Sequence, residues 1–143
     1  MRLEITRRSD LATRALIELA HRGERTKAGD LAAAVGTTPG FLSQAMTPLV
    51  AKGWARSEPG PSGGYQLVAD LSSISVLDVI EAIEGPSDGG RCVLQDRPCG
   101  ESGTCALHFP WTRARTQLLE ELSATSLDSL DTLANPVPGR TAL

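Results

Sequence analysis

The segment Glu58-Pro-Gly-Pro-Ser-Gly-Gly64 restricts the fold more than any other, because five of its seven residues are proline or glycine. Such a segment ends regular structure and favours a tight turn. It lies between two short strand-like pieces, Trp54 to Ser57 and Tyr65 to Val68. The sequence therefore predicts a β-hairpin with a glycine-rich tip.

Two helical patterns open the chain ahead of this hairpin. The first begins behind Ser9, the expected N-cap, and its apolar positions are Leu11, Ala12, Ala15, Leu16, Leu19 and Ala20. The second runs from about Lys27 to Val35 behind Thr26, which we expect to be its N-cap. Gly23 and Gly36 follow the two patterns and favour helix ends there.

A third helical pattern follows Thr38, a good N-cap, and Pro39, which suits the first helical position because its missing N–H needs no partner there. Its apolar stripe consists of Leu42, Ala45, Met46, Leu49 and Val50. The opposite face is small and almost uncharged, with Gly40, Phe41, Ser43, Gln44 and Thr47. Such side chains suit a helix that is pressed into a groove. Pro48 should kink or shorten this helix.

Three short helices followed by a two-stranded hairpin predict a winged helix-turn-helix, a mainly α fold with a small β-hairpin, the wing. Beyond the wing, Ser75 and Asp78 have the spacing of a capping box before a helix that ends at Gly85. A longer helix is expected from about Pro110, with one face formed by Trp111, Arg115, Leu118, Leu119 and Leu122. A final short helix should carry Leu127, Leu130 and Leu133.

All three cysteines lie between the last two long helical patterns. Six residues separate Cys92 from Cys99, five separate Cys99 from Cys105, and His108 follows three positions later. Thiolates with an imidazole suit a thiophilic metal or an iron–sulfur cluster, and the spacing does not choose between them. Structural zinc sites usually pair cysteines two to four residues apart, which is closer than in this chain. In a reducing compartment these thiols point to metal or redox use rather than to structural disulfides.

The charge balance changes along the chain. Residues 1–60 carry nine Lys or Arg against six Asp or Glu, and residues 61–143 carry five against eleven. The first part is therefore +3 and the second −6, which permits a basic contact surface on the N-terminal half. No nucleophile–base pair, paired carboxylates or phosphate-binding glycine motif is present, so an enzyme is not expected. No apolar run approaches a membrane span or a signal peptide, and we expect a cytoplasmic protein without a membrane partner.

In these features the sequence resembles the IscR, NsrR and RirA type (Rrf-two) of bacterial winged-helix transcription regulators. The resemblance covers the chain from Met1 to about Leu133. It is carried by the opening Met-Arg-Leu, Asp10-Leu-Ala-Thr-Arg-Ala-Leu16, Phe41-Leu-Ser-Gln44, Gly63-Gly64-Tyr65, Ile74-Ser-Val-Leu-Asp-Val79 and the three cysteines, in the family's order.

The resemblance implies a homodimer that binds an iron–sulfur cluster through Cys92, Cys99 and Cys105. In IscR-like members a histidine three residues past the last cysteine completes a 2Fe-2S site, and His108 occupies that position. In NsrR-like members an aspartate at the head of the first helix of the other subunit completes a 4Fe-4S site, and Asp10 is similar in position. We expect the 2Fe-2S form with His108, with the 4Fe-4S form and Asp10 as the alternative.

The resemblance also implies double-stranded DNA as a partner, with the third helix in the major groove. The protein would then be a sequence-specific transcription regulator whose operator affinity is gated by the cluster in response to iron, redox or nitric oxide status. Candidate DNA contacts on the third helix are Phe41, Ser43 and Gln44, of which glutamine can bond adenine bidentately. Further candidates, mostly for the phosphate backbone, are Arg2, Arg7, Arg8, Thr37, Thr38, Lys52, Arg56, Ser62 and Gly63.

These expectations divide the chain into four parts. Residues 1–85 form a winged helix-turn-helix domain, 86–109 a cluster-binding loop, 110–134 a dimerisation helix with a C-terminal helix, and 135–143 a mobile tail. One alternative is a winged-helix regulator whose loop carries zinc or no metal. Another is a small redox or metal-carrier protein.

The sequence departs from the family pattern at three places. Glu58-Pro59-Gly60 stands where the wing commonly carries an arginine. Ser43 stands where IscR-like relatives can have a glutamate that helps to choose operators, so target preference does not transfer. Pro110 interrupts a segment that IscR-like chains continue as helix.

Overall fold

A computed structural model of the chain describes residues 1–95, 97–99 and 103–134. This part of the chain contains five α-helices and one antiparallel two-stranded sheet. The elements are α1 (Arg7–Arg22), α2 (Ala28–Val35), α3 (Pro39–Ala51), β1 (Ala55–Glu58), β2 (Gly64–Leu67), α4 (Val76–Glu84) and α5 (His108–Ala124). Short 3-10 segments lie at Leu71–Ser73 and Leu127–Ala134. The predicted mainly α fold with one small hairpin is confirmed.

Helix α1 lies at the centre of the fold and packs against α2, α3 and α4. Five residues of its predicted apolar stripe are at most 2% exposed, namely Leu11, Ala12, Ala15, Leu16 and Leu19. They share one hydrophobic core with Leu31 and Val35 of α2 and with Leu42, Met46 and Leu49 of α3. Full burial of one such Leu or Val side chain stabilises by about 1.5–3 kcal/mol. The three helices therefore carry most of the core of the DNA-binding half expected from the sequence.

The expected N-caps of the first two helices are wrong. Helix α1 begins earlier, behind Thr6, whose hydroxyl accepts a hydrogen bond from the Ser9 N–H at 3.2 Å. Ser9 itself is fully buried within the helix. Helix α2 begins behind Lys27, and Thr26 forms a β-bridge with Tyr65 of the wing. In both cases a contact between distant parts of the chain uses the residue that the local pattern assigned to a cap.

Helix α3 begins as predicted. The Thr38 hydroxyl accepts from the Phe41 N–H at 3.3 Å, and Pro39 occupies the first helical position. The helix continues beyond Pro48 to Ala51, so the expected shortening does not occur. Pro48 removes one helical hydrogen bond, the one that an N–H at this position would donate to the Gln44 carbonyl. The last turn still closes after it, because the Lys52 N–H donates to the Pro48 carbonyl at 3.0 Å.

The wing is joined to the helices by backbone hydrogen bonds. Strands β1 and β2 lie within one residue of the predicted pieces and pair Ala55 with Leu67 at one end and Glu58 with Gly64 at the other. Thr26 and Tyr65 exchange two backbone hydrogen bonds of 2.8 Å. Gly64 has a φ of +141°, and a Cβ at this position would lie 2.2 Å from the Thr26 carbonyl oxygen. Only glycine allows the wing to approach the start of α2 this closely.

Helices α4 and α5 form a helical hairpin. The Ser75 hydroxyl accepts from the Asp78 N–H at 3.0 Å and the Asp78 carboxylate accepts from the Ser75 N–H at 2.8 Å, which confirms the predicted capping box of α4. The end of α5 returns to this point, because Ser75 and Ser126 form a β-bridge. The Val76 N–H also donates to the Thr125 carbonyl at 2.9 Å. The hairpin is therefore closed at the end opposite the cysteines.

The C-terminal part differs from the prediction in two details. Helix α5 begins at His108, two residues before the expected start, because Pro110 fits within its first turn. The expected final helix is a 3-10 segment with a kink at Leu130, and its Leu127 is 1% exposed in the core. The predicted mobile tail, residues 135–143, lies outside the described residues. Among the helices that the structure describes, none is long and apolar enough to cross a membrane.

Candidate metal centre and nucleic-acid interface

The cysteine loop, residues 85–107 between α4 and α5, brings its three thiols together. The Sγ atoms of Cys92, Cys99 and Cys105 lie within 4.8 Å of one another, and all three residues are half-buried. We call these three atoms the sulfur group. A backbone hydrogen bond of 3.0 Å from the Cys92 N–H to the Arg97 carbonyl closes a turn between the first two cysteines. The loop thus assembles three donors that are well separated in sequence.

The sulfur group has the chemistry of a soft-metal site. Thiolates are the ligands that zinc and iron–sulfur clusters favour among the protein side chains. Around a single tetrahedral zinc ion, with Zn–S bonds of about 2.3 Å, two sulfurs lie about 3.8 Å apart. Sulfurs within 4.8 Å of one another therefore need only small movements to share a metal centre. Three thiolates supply three of the four ligands that such a centre takes.

Two of the thiols have pKa values shifted in opposite directions. The Leu94 N–H donates to Cys92 Sγ at 3.4 Å, and this hydrogen bond lowers the pKa of the Cys92 thiol. Partial burial raises the pKa of the Cys105 thiol, and its hydrogen bond with Cys92 raises it further. Because the thiolate is the metal ligand, Cys92 is the better prepared of these two thiols to bind.

The two candidates for a fourth ligand lie outside the sulfur group. His108 is the first residue of α5, its N–H donates to the Cys105 carbonyl at 3.1 Å, and its ring meets Phe109 edge-on at 5.2 Å. Asp10 lies in the first turn of α1 and forms an ion pair with Arg14 at 3.8 Å. Among the described His, Cys, Asp and Glu residues, the group within 4.8 Å contains the three cysteines alone.

An ion pair holds the cysteine loop to α5. Arg115 Nη1 lies 2.7 Å from Asp88 Oδ1, and the same carboxylate oxygen accepts from the Gly90 N–H at 3.0 Å. The helical pattern of the sequence places Arg115 on the apolar face of its helix and does not indicate this contact. No local pattern marks it, because the two residues meet only through the path of the loop. The pair makes the start of the loop part of the α4–α5 hairpin.

Helix α3 presents its predicted outward face to solvent. Gly40, Ser43, Gln44 and Thr47 are exposed, and Phe41 is half-buried. The other candidate contacts that are exposed are Arg2, Arg7, Arg8, Thr38, Lys52, Arg56 and Ser62, whereas Thr37 is half-buried. Gly63 is buried, its N–H donates to the Gly60 carbonyl at 3.0 Å, and a Cβ there would lie 2.0 Å from the Glu58 carbonyl oxygen. Gly63 therefore serves the turn of the wing.

Two arginines are placed by contacts that the sequence did not reveal. The Arg7 guanidinium lies over the Phe41 ring, 5.4 Å from its centroid, and joins the start of α1 to the start of α3. Arg25, between α1 and α2, forms an ion pair with Glu58, the last residue of β1 before the tip of the wing. The wing thus has an adjacent cation although Glu58-Pro59-Gly60 lacks an arginine. No local sequence pattern predicts the contact between Arg25 and the wing, because Arg25 reaches the wing only through the bridge between Thr26 and Tyr65.

Comparisons with known proteins agree with this architecture. The family model Rrf2, described as an iron-dependent transcriptional regulator, matches residues 5–132. An HTH-type transcriptional regulator of Mycobacterium tuberculosis is 34% identical over 128 residues, which cover 87% of this chain and 79% of the relative. The HTH-type transcriptional regulator IscR of Photorhabdus laumondii is 28% identical over 130 residues, which cover 90% of this chain and 79% of the relative.

A solved structure extends the likeness to three dimensions. CymR, described as the global cysteine regulator of B. subtilis, superimposes with a TM-score of 0.75 at 26% identity, and the match covers 92% of this chain and 98% of that one. These relatives are transcription regulators and not enzymes, as the sequence predicted. The chain belongs to the Rrf2 family, whose members are transcription regulators that bind DNA through a winged helix-turn-helix.

Proposed function

We propose that the protein is a homodimeric, sequence-specific regulator whose operator affinity is gated by an iron–sulfur cluster bound to Cys92, Cys99 and Cys105. The observation that carries this proposal is the sulfur group, three half-buried Sγ atoms within 4.8 Å in the loop between α4 and α5. A bound cluster would supply electron-transfer chemistry and sensitivity to iron supply, oxidants and nitric oxide. The chain would supply the ligands and the mechanical link to DNA.

The fourth ligand is proposed to be His108, with Asp10 of the other subunit as the alternative. A backbone hydrogen bond holds the main chain of His108 next to Cys105, one of the three proposed cysteine ligands. This proximity supports the 2Fe-2S form. Asp10 has a carboxylate that is 40% exposed in the first turn of α1, so a second subunit can reach it. Binding of the cluster by Asp10 of the other subunit would support the 4Fe-4S form.

Helix α5 supports the homodimer. None of its residues, all of which the structure describes, is fully buried within one subunit. Its predicted face, with Trp111, Leu119 and Leu122, is half-buried against the rest of the chain. Phe109 is 62% and Leu118 is 43% exposed. Pairing of this helix with a second copy would cover these apolar side chains.

DNA binding is proposed to use α3 and the wing. Gln44 and Ser43, both exposed on α3, would face base edges in the major groove. Lys52 and Arg56 would contact phosphates, which sets register and salt dependence rather than sequence. The cysteine loop continues directly from α4 and is bonded to α5. A cluster that orders this loop would therefore change the fraction of subunits whose geometry fits DNA.

A second candidate is the same regulator with a zinc ion in place of the cluster. The observation that favours it is the closeness of the sulfurs, which is near the spacing around a single tetrahedral ion. Zinc has no redox chemistry, so a zinc-bound loop would stabilise the fold rather than respond to electrons. DNA recognition through α3 would be the same.

Anaerobic purification is expected to give a coloured protein that contains iron and inorganic sulfide. Thiolate-to-iron charge transfer produces visible absorbance, whereas zinc is colourless because its d shell is filled. Absorbance spectra and native mass spectrometry under anaerobic conditions measure the metal content, the cluster type and the dimer together. A colourless protein with one zinc ion per subunit would exclude the cluster and leave the zinc candidate.

Gln44→Ala is expected to weaken operator binding by about 5- to 150-fold, since one bidentate base contact contributes roughly 1–3 kcal/mol of discrimination. Its affinity for random DNA should hardly change. Arg56→Ala should weaken both DNAs alike and reduce the salt slope by about one per subunit. Fluorescence anisotropy with an operator selected from a random DNA pool measures both effects. If both variants lost equal affinity on every sequence, α3 would not be the reading helix.

A further inference from the structure

The first turn of α1 is bonded to the last turn of α4 by two side chains. Arg8 Nη2 donates to the Ile83 carbonyl oxygen at 3.0 Å, which satisfies a carbonyl near the C-terminal end of α4. Ser9 Oγ donates to Oε2 of Glu84 at 2.6 Å. Ser9 is fully buried and Ile83 is 6% exposed, whereas Arg8 and Glu84 are exposed, so the junction lies at the edge of the core. A hydrogen bond to an ionised carboxylate is stronger than one to a neutral acceptor.

The residue before this pair contacts the helix that is proposed to read DNA. The Arg7 guanidinium lies 5.4 Å from the centroid of the Phe41 ring, and Phe41 belongs to the first turn of α3. The N-terminal turn of a helix, with an arginine beside it, is a good position for a phosphate. Arg7, Arg8 and Ser9 are consecutive in one helical turn. The position of Arg7 therefore depends on the hydrogen bonds that Arg8 and Ser9 make to the last turn of α4.

The same junction adjoins the cysteine loop. Gly85 ends α4 directly after Glu84, and Cys92 follows seven positions later. Two hydrogen bonds and one cation–π contact therefore connect the start of the loop, through α4 and α1, to the start of α3. Asp10, a candidate fourth ligand, lies in the same turn of α1.

We propose that Glu84 and Arg8 are positioning residues for DNA binding. They hold the first turn of α1 so that Arg7 stays on Phe41 and directs its guanidinium to a phosphate at the start of α3. The inference rests on the proposed function in taking α3 as the DNA-reading helix. It adds a route by which the last turn of α4, next to the cysteine loop, acts on the DNA-binding surface without touching DNA.

The position of Arg7 can be measured without DNA, in the metal-free chain of 143 residues, from the NMR shift of its Nε–H proton. A guanidinium over Phe41 experiences the ring current, and Glu84→Ala is expected to move this shift towards that of free arginine. Glu84→Gln keeps an oxygen that accepts from Ser9 and should restore the shift. Glu81→Ala is the charge-matched control on the same helix, since its carboxylate accepts from the Ser87 N–H at 3.0 Å. An unchanged Arg7 shift in Glu84→Ala overturns the proposal.

The consequence for DNA is measured with a random-sequence duplex at low salt. Loss of a carboxylate alone should raise the affinity for DNA, because a like charge is removed. Glu84→Ala is expected instead to bind roughly three- to tenfold more weakly, and no further loss should appear when it is combined with Arg7→Ala. Additive losses, or an affinity equal to that of Glu81→Ala, overturn the proposal. Failure of the unmodified protein to bind DNA overturns the proposed function, and the Arg7 shift then still decides the positioning.

Discussion

Replacement of Cys99 with serine is expected to abolish metal or cluster binding while the winged helix-turn-helix remains folded. A hydroxyl is a hard and weakly acidic ligand, and only two sulfurs of the sulfur group would remain. Loss of a neighbouring group that merely orients a ligand already costs 10- to 100-fold in metal affinity, so loss of a ligand should cost more than about 100-fold. The metal-free variant should keep its free energy of unfolding within about 0.5 kcal/mol, because Cys99 is outside the core.

The measurement combines metal analysis and absorbance with chemical denaturation of the metal-free protein. Cys92→Ser and Cys105→Ser should give the same result. Thr104→Ala, an exposed loop residue next to Cys105, is the matched control and should keep full metal content. Normal binding by any of the three cysteine variants would mean that the sulfur group is not the site.

Two further variants in the same experiment identify the fourth ligand. His108→Ala should change the spectrum if His108 completes the site, and Asp10→Ala should do so if the other subunit does. The two residues lie on different helices, α5 and α1, so the variants are independent. Unchanged spectra in both would show that neither residue is the ligand.

Replacement of Gly64 with alanine is expected to destabilise the protein by about 2–4 kcal/mol. The added Cβ would meet the Thr26 carbonyl oxygen at 2.2 Å, and the φ of +141° is one that an L side chain rarely adopts. To relieve this clash the two segments would have to move apart, which would break the two backbone hydrogen bonds between Thr26 and Tyr65. The wing would then lose its attachment to the start of α2.

Urea denaturation followed by circular dichroism measures this loss. Gly29→Ala is the control, because a Cβ at Gly29 meets no described atom within 4 Å and its φ is not in the positive range. Alanine in a helix is favoured over glycine by up to about 1 kcal/mol, so this control should be neutral or slightly stabilising. If both variants had equal stability, the contact between Gly64 and Thr26 would not matter.

The features that could be predicted are those that repeat along the chain. The apolar stripe of α1, with Leu16 at its centre, recurs at helical spacing, and burial of that stripe decides the architecture. The hairpin followed from Pro and Gly residues whose backbone preferences act locally. The capping box at Ser75 was also predictable, because both of its hydrogen bonds lie within four residues.

The features that were missed depend on residues far apart in the sequence. The local pattern predicts Ser9 as a cap, because nothing local shows that Ser9 meets Glu84, 75 positions later. The prediction of Thr26 as a cap is wrong for the same reason, since its partner is the distant Tyr65. For the sulfur group, spacing indicated which residues could act as ligands, and only the path of the loop brings the sulfurs within 4.8 Å. The fourth ligand stays a prediction, because one candidate belongs to a second subunit.

The bridge between Ser75 and Ser126 has a consequence for the continuity of the chain. It joins the start of α4 to the end of α5, and Leu127, directly after it, is buried in the core. The two sides of the cysteine loop are thus held together by contacts that do not pass through the loop. A protease nick in the loop would therefore leave two associated fragments. For the same reason, the loop is the natural place to open the chain for a circular permutant or a split protein.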